Sequence, residues 1–451
     1  MTTSTAPQRP SQHSPADTTG LSSESPQARS GSRYSRLPEL AGRGFIPLGL
    51  FARLPLAMLT VGTLTLVTSV SGSYAAGGTS AGAVGIGSAI GAPVLGALAD
   101  RFGQRPVLVV AAILNALAVL VLIAAAYMVP GAEGSAVPIL AAAFVAGVSC
   151  PQVGPLARVR WMALTSAGNR KGGGKDLDTA LSYESTADEL TFVLGPALVG
   201  ILASLIAPWL PLALAAALTI TLVPAFAVHR THLAVPRRAV QPRTVHRTAV
   251  QRSAGQSSPP RAGLMSFAAV TLPVMAMVCM GSFFGSTQAA LSSFSAAFAT
   301  SEVAGLLYAV MGLSSAAAAI SVAYWPARFT LAARWLAGAA AMAGLSTLLL
   351  LPGDGWAMVL VLLVLGLPVG PVMVTVFAIG GIVAPAGRLG TVMTALASGI
   401  VAGTAIGSSV AGQLAEGSGY SAAFLVPVAA AAALFVLGAA AAVVVRRNQP
   451  K

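Results

Sequence analysis

The chain has 451 residues, 55% hydrophobic and 9% charged, with a mean hydropathy of +0.79 and a net charge of +13. Soluble globular proteins average about 25% charged residues, so this composition excludes a soluble enzyme or a soluble nucleic-acid-binding domain of ordinary size. The two cysteines, Cys150 and Cys279, fall inside apolar runs without zinc or redox spacing and read as small buried hydrophobes.

Residues 1–44 are rich in Ser, Thr, Pro and Arg, carry no secretory signal and read as a disordered cytoplasmic tail. Twelve apolar runs follow, at 48–70, 81–99, 106–129, 136–157, 180–207 and 209–228, then 264–290, 303–324, 331–351, 356–379, 391–415 and 422–445. Each can cross a hydrocarbon core, which takes about 20 residues. Lipid offers the backbone no hydrogen-bond partners, so runs of this length must be helices. The basic segment 229–262 splits the runs six plus six and reads as a flexible cytoplasmic linker lying against anionic headgroups. The expected architecture is therefore all-α and integral to the membrane. An N-terminal six-helix bundle spans 45–228, a C-terminal one spans 263–445, and a short cytoplasmic tail covers 446–451.

The charges orient these helices. With the N-terminus inside, all 26 Lys and Arg residues fall on the cytoplasmic side, and the outer loops hold only Glu133, Glu302, Asp354 and Glu416. Positive-inside topology thus accounts for the sequence pI of 10.8 without nucleic acid. Of the basic residues 23 are Arg, and Ala and Gly dominate the composition, which suggests a GC-rich bacterial genome and a bacterial inner membrane. His229 and His232 lack a third ligand and read as solvated loop residues; no metal or cofactor is expected.

Two patterns carry functional information. Residues 96–105, Gly-Ala-Leu-Ala-Asp-Arg-Phe-Gly-Gln-Arg, pack charge and glycine into a connection too short to be a domain, between the second and third runs. The fourth and tenth runs also carry similar breaks at matching positions, Pro151, Gly154 and Pro155 in one and Pro368, Gly370 and Pro371 in the other. Parallel halves with broken helices in register point to a transporter with a midplane site.

Residues 96–105 resemble, in type and placement, the signature between helices two and three of the major facilitator superfamily. That resemblance implies two bundles rocking in alternating access. It also implies a conformational gate at Gly96, Asp100, Arg101, Gly103 and Arg105, with Asp100 facing the positive N-terminus of span eleven. Residues 188–200 resemble the Gly-Pro signature of the superfamily's exporters through Gly195 and Pro196, with Thr191 and Val199 standing where that pattern has glycines. The loop after span eight is a worn copy of the first-half signature, without Gly or Asp.

An ionisable group in the hydrocarbon is functional by default. Glu184, Asp188 and Glu189 enter span five, near the apolar run that begins at Leu190. Two readings stand: a salt-bridge cluster with Arg53, Arg158 or Arg160, or a proton-coupling site. Both can hold at once. The resemblance implies a cavity lined by spans one, four, seven and ten, with Thr60, Thr63, Gln152, Ser282, Phe283, Ser286 and Gln288 as polar and aromatic candidates. No central charge in those spans selects an ionic substrate.

The expected protein is a monomeric, proton-coupled secondary transporter, with membrane lipids and protons as partners and a small neutral or amphipathic compound as exported substrate. The alternatives are an importer of an uncharged nutrient and, from another class, a transport-silent receptor or a lipid-modifying membrane enzyme.

Overall fold

The computed structural model describes residues 2–3, 33–128, 136–166, 173–235, 261–298, 303–326 and 328–447. The expected linker between 236 and 260, residues 4–32 of the expected N-terminal tail and residues 448–451 lie outside the described residues. Every regular element among the described residues is a helix.

A short helix α1 (Arg36–Ala41) precedes the first membrane run, which is built from α2 (Phe45–Phe51) and α3 (Leu54–Ser71). There follow α4 (Tyr74–Phe102), α5 (Gln104–Met128), α6 (Val137–Val148), α7 (Val153–Ser166), α8 (Gly173–Leu205) and α9 (Leu210–Val228). The later part holds α10 (Arg261–Phe298), α11 (Val303–Ser321), α12 (Leu331–Ser346), α13 (Gly355–Val383), α14 (Leu389–Ala423) and α15 (Leu425–Arg447). Among the described residues, eleven helical runs are long and apolar enough to cross a membrane; α15 contributes a shorter apolar stretch, Leu425–Ala441.

Local chemistry explains the ends. Asp354 accepts from the Ala357 N–H at 2.9 Å and starts α13, and Ser73 and Thr330 cap α4 and α12 in the same way. Between α4 and α5 stands the single residue Gly103, at φ 90°, a conformation in which a Cβ would be strained.

The proline motifs behave differently from one another. The fourth run is interrupted between Val148 and Val153, where the Cys150 N–H bonds back only three residues to the Gly147 carbonyl at 3.1 Å. Pro151 and Pro155 are four apart, so each ring excludes the carbonyl one turn earlier, at Gly147 and at Pro151. The expected break in the tenth run is corrected: α13 continues through Pro368, Gly370 and Pro371, and α8 likewise continues through Gly195 and Pro196. These glycines serve close packing instead. A Cβ at Gly195 would lie 2.6 Å from Ala57 on α3, and one at Gly370 would collide with the Ser315 carbonyl on α11.

The same device recurs in both parts of the chain. Gly87 and Gly91 on α4 abut α6, whose Gly147 abuts α4; Gly366 and Gly370 on α13 abut α11. Gly399, Gly403 and Gly407 bring α14 onto α10, whereas Gly412 faces open space. Across the two parts, α4 packs on α14, and α8 packs on α11 and α13. An apolar cluster of Leu181, Ala319, Val322, Val374 and Ala378 fills the seam between α8 and the later helices.

The N-terminal tail is also corrected. Its last part is helical, and Leu37 and Ala41 are buried with Phe45 against Trp161 and Phe226. Leu37 and Ala41 share one face of α1, Phe45 opens α2 beyond the turn at Gly42, and burying these three side chains outweighs the polar composition around them.

Candidate functional site

The signature stretch closes one end of the molecule, the end that carries Arg101 and Arg105. Asp100 is half-buried at the last turn of α4 and reaches the first turn of α14. Its Oδ1 accepts from the Gly390 N–H at 2.8 Å, and its Oδ2 accepts from the Thr391 N–H and the Thr391 hydroxyl, both at 2.7 Å. Helix N-termini present unpaired N–H groups and a partial positive charge, so a carboxylate there is bound by both. Gly96, one turn earlier, permits the approach: a Cβ there would lie 2.7 Å from the Gly390 carbonyl and inside Thr394 Oγ1. Arg101 and Arg105 are exposed, the former over the Phe102 ring at 5.1 Å.

Gly96→Ala is therefore expected to force α4 and α14 apart. Overpacking of this kind costs about 1–3 kcal/mol, so the purified variant should melt earlier and the latch should loosen. Ala97→Val, at an exposed neighbour, serves as the control, and equal melting temperatures for the two would refute the argument.

Gln104, the residue of this stretch that sequence reasoning passed over, is 5% exposed and anchors the turn. Its side chain donates to the Leu156 carbonyl at 3.3 Å and accepts from Arg160 Nε at 2.8 Å. Arg160 also donates to the Phe226 carbonyl at 2.7 Å and to Thr231 Oγ1 at 3.0 Å, and stacks 3.9 Å from the Phe226 ring. A cleft of about 300 Å³ opens beside the latch, lined in part by Asp100, Arg105, Met162, His232 and Leu389. His229 and His232 bond within their own turn, and no cluster of three metal-ligating side chains exists among the described residues.

The acids of span five stand well inside a helix rather than at its start, because α8 begins at Gly173, well before residue 180. At ~1.5 Å per residue, Asp188 stands roughly 22 Å along that helix. Arg53, at the interruption between α2 and α3, meets Glu184 Oε2 at 2.6 Å and Asp188 Oδ1 at 2.8 Å. Arg158 meets Asp188 Oδ2 at 2.7 Å and lies 3.9 Å from the Phe377 ring on α13. Trp161 Nε1 donates to Glu184 Oε1 at 2.7 Å. Two cations face two anions, so this buried quartet is close to neutral.

Glu189 is separate from it. Its side chain accepts from Ser315 Oγ on α11 at 3.0 Å, the residue is 7% exposed, and no cation pairs with it among the described residues. Asp178 and Arg334, 3.2 Å apart, make a further link from α8 to α12.

The expected cavity residues scatter. Thr63, Gln152, Phe283 and Ser286 are buried, Ser282 is half-buried, and Thr60 and Gln288 are exposed. Thr63 and Ser286 donate to carbonyls of their own helices and Gln152 to the nearby Cys150 carbonyl. None of these residues lines the cleft at the latch.

Comparison with known proteins places this geometry. The chain is similar in structure to the human organic anion transporter MFSD10 (TETRAN), with 18% identity and a TM-score of 0.64 over 90% of this chain and 99% of that one. It is also similar to the E. coli fucose:proton symporter FucP, with 16% identity and a TM-score of 0.57 over 88% of this chain and 99% of that one. A bacterial homologue of the iron transporter ferroportin, in an outward-facing state, matches at 15% identity and a TM-score of 0.60 over 88% of this chain and 98% of that one. No curated protein matches the sequence. The family model for the Major Facilitator Superfamily matches residues 46–399. The signature latch, the long apolar helices and a family match over most of the length agree: the chain belongs to the major facilitator superfamily.

Proposed function

We propose that this protein is a proton-coupled exporter of a small neutral or amphipathic compound. It works as a monomer by alternating access, with twelve membrane helices in two six-helix bundles and α15 as the twelfth. In this reading its basic end faces the cytoplasm of a bacterial inner membrane, because every Lys and Arg would then lie on that side. The observation that carries the reading is the Asp100 contact with α14, which joins the two bundles at one end and can break only if that end opens. The recurrence of glycine-mediated packing in α4–α6 and α11–α13 supports two equivalent bundles.

The quartet and Glu189 take different roles. Glu184 and Asp188 are bound to arginines and hold the first bundle together. That engagement also makes them poor metal or phosphate ligands for a lipid-modifying enzyme. Among the described residues, Glu189 accepts from one hydroxyl, on the opposite bundle, and pairs with no cation, and an unpaired buried carboxylate is costly unless a proton neutralises it. Glu189 is the proton carrier, and its proton sets the strength of the α8–α11 contact. Export rests on the Gly195-Pro196 resemblance in α8, and the uncharged substrate rests on cavity candidates that carry no charge, Thr60, Thr63, Gln152, Ser282, Phe283, Ser286 and Gln288.

Everted vesicles and a compound screen in cells lacking or overproducing the protein test this reading. Tolerance to a compound should rise with overproduction; growth on a nutrient instead would make the protein an importer. In vesicles, Glu189→Gln should abolish the response of transport to a pH gradient. Each unit of pH gradient supplies about 1.4 kcal/mol per coupled proton, so the variant should lose roughly tenfold in driven accumulation per unit of gradient. Transport that still follows the gradient in this variant would remove Glu189 from the mechanism.

A further inference from the structure

Residues 33–45 cross the seam between the two parts of the chain at the same end as the Asp100 latch. Their later part is fixed to the earlier helices: Leu37, Ala41 and Phe45 are at most 1% exposed, Phe45 sits edge-on to Trp161 at 5.2 Å, and Tyr183 on α8 donates to the Ile46 carbonyl at 2.8 Å. Their first two residues reach the other way. Tyr34 donates to the Ile320 carbonyl at 2.7 Å, Arg33 donates to the Ala323 carbonyl, and the Arg33 guanidinium lies 5.4 Å from the Tyr324 ring.

Those two carbonyls belong to the last turn of α11 and the 3-10 turn after it. A helix C-terminus leaves its final carbonyls without internal partners and carries partial negative charge, so a cation and a hydroxyl donor are complementary to it. Burial pushes the Tyr34 hydroxyl up to about 12, which keeps it a donor at any working pH. The pairing mirrors the latch on the same face, where an anion from α4 meets the N-terminus of α14.

We infer that residues 33–45 form a strap, a second fastener in which Arg33 and Tyr34 cap the C-terminal end of α11 from across the seam and must release it before this end opens. The asymmetry fixes where it parts. The apolar side is buried in the core and stays, whereas the α11 side is held by two hydrogen bonds and ring contacts and lets go. Removing the strap's grip therefore raises the population open at the basic end without touching Asp100. The inference goes beyond the transport reading but relies on its opening step.

The test uses the full-length protein in membranes, with Cys150→Ala and Cys279→Ala removing the native thiols and Ala378→Cys as reporter. Ala378 is 5% exposed and packs in the seam cluster, so N-ethylmaleimide reaches it only when the seam parts. Arg33→Ala with Tyr34→Ala should speed alkylation several-fold, and Leu37→Asp, which unseats the fixed side, should do the same. Asp100→Ala provides the reference for an opened end. If Asp100→Ala speeds alkylation and both strap variants leave it unchanged, the strap is refuted while alternating access stands. If no variant changes the rate, the opening step fails and the strap fails with it.

Discussion

Arg53→Ala is expected to destabilise the purified protein more than any other single replacement in the charged quartet. Arg53 binds Glu184 at 2.6 Å, Asp188 at 2.8 Å and the Gly49 carbonyl at 3.0 Å, and its side chain is 3% exposed. Among the described residues, its removal leaves Glu184 with no paired cation and Asp188 with Arg158. Breaking a buried ion pair by deleting one partner costs about 3–5 kcal/mol, because the surviving charge stays desolvated. Much of that loss should return when the survivor is also neutralised, so Arg53→Met combined with Glu184→Gln should melt closer to the wild type than Arg53→Ala does. Thermal unfolding in detergent measures both variants. An Arg53→Ala midpoint equal to that of the wild type would mean the quartet carries no net stabilisation.

Asp100→Ala should have the largest effect on transport itself. The carboxylate accepts three hydrogen bonds from the first turn of α14, two from backbone N–H groups that no neighbouring side chain can replace. Hydrogen bonds to a charged group are worth about 1.5–3 kcal/mol each, and half-exposure of Asp100 reduces that figure. A net loss of roughly 1.4–2.8 kcal/mol shifts the closed-to-open balance at this end by about 10- to 100-fold. Asp100→Asn is instructive beside it. The amide keeps one acceptor oxygen but turns an N–H₂ group toward donors, so it should behave nearly as badly as alanine. Asp100→Glu keeps the charge and should retain partial function. Wild-type transport rates in Asp100→Ala, measured in vesicles, would separate the latch from the transport cycle.

The fold class was legible because lipid leaves a long apolar run no alternative to a helix, and the placement of Asp100 against α14 was implied by the resemblance of residues 96–105 to the superfamily signature. Other features were hidden for physical reasons. Proline and glycine counts do not distinguish a break from a packing contact: Gly370 sits inside an intact helix because α11 needs its missing side chain, while Pro151 and Pro155 interrupt theirs. Hydropathy also misplaced the start of α8, since Asp176 and Asp178 look like a polar loop until their partners Arg36 and Arg334 are known. Those partners lie far away in sequence. The separation of Glu189 from its neighbours had no sequence signal at all, because it depends on which face of α8 meets α11. The order of residues 33–41 was likewise masked by a polar composition that two buried apolar positions, Leu37 and Ala41, override.

The single residue between α4 and α5 fixes rotational phase as well as distance. Each residue added to a helix turns the rest of that helix by about 100°. One insertion beside Gly103 would swing Gln104 away from Arg160, and with it the ties from Arg160 to Phe226 and Thr231. One deletion would do the same in the opposite sense. Gly103 therefore links Asp100 at the end of α4 to the ties that Gln104 makes with α7 and that Arg160 makes with the end of α9. A one-residue connection thus sets the register of two long helices against their neighbours.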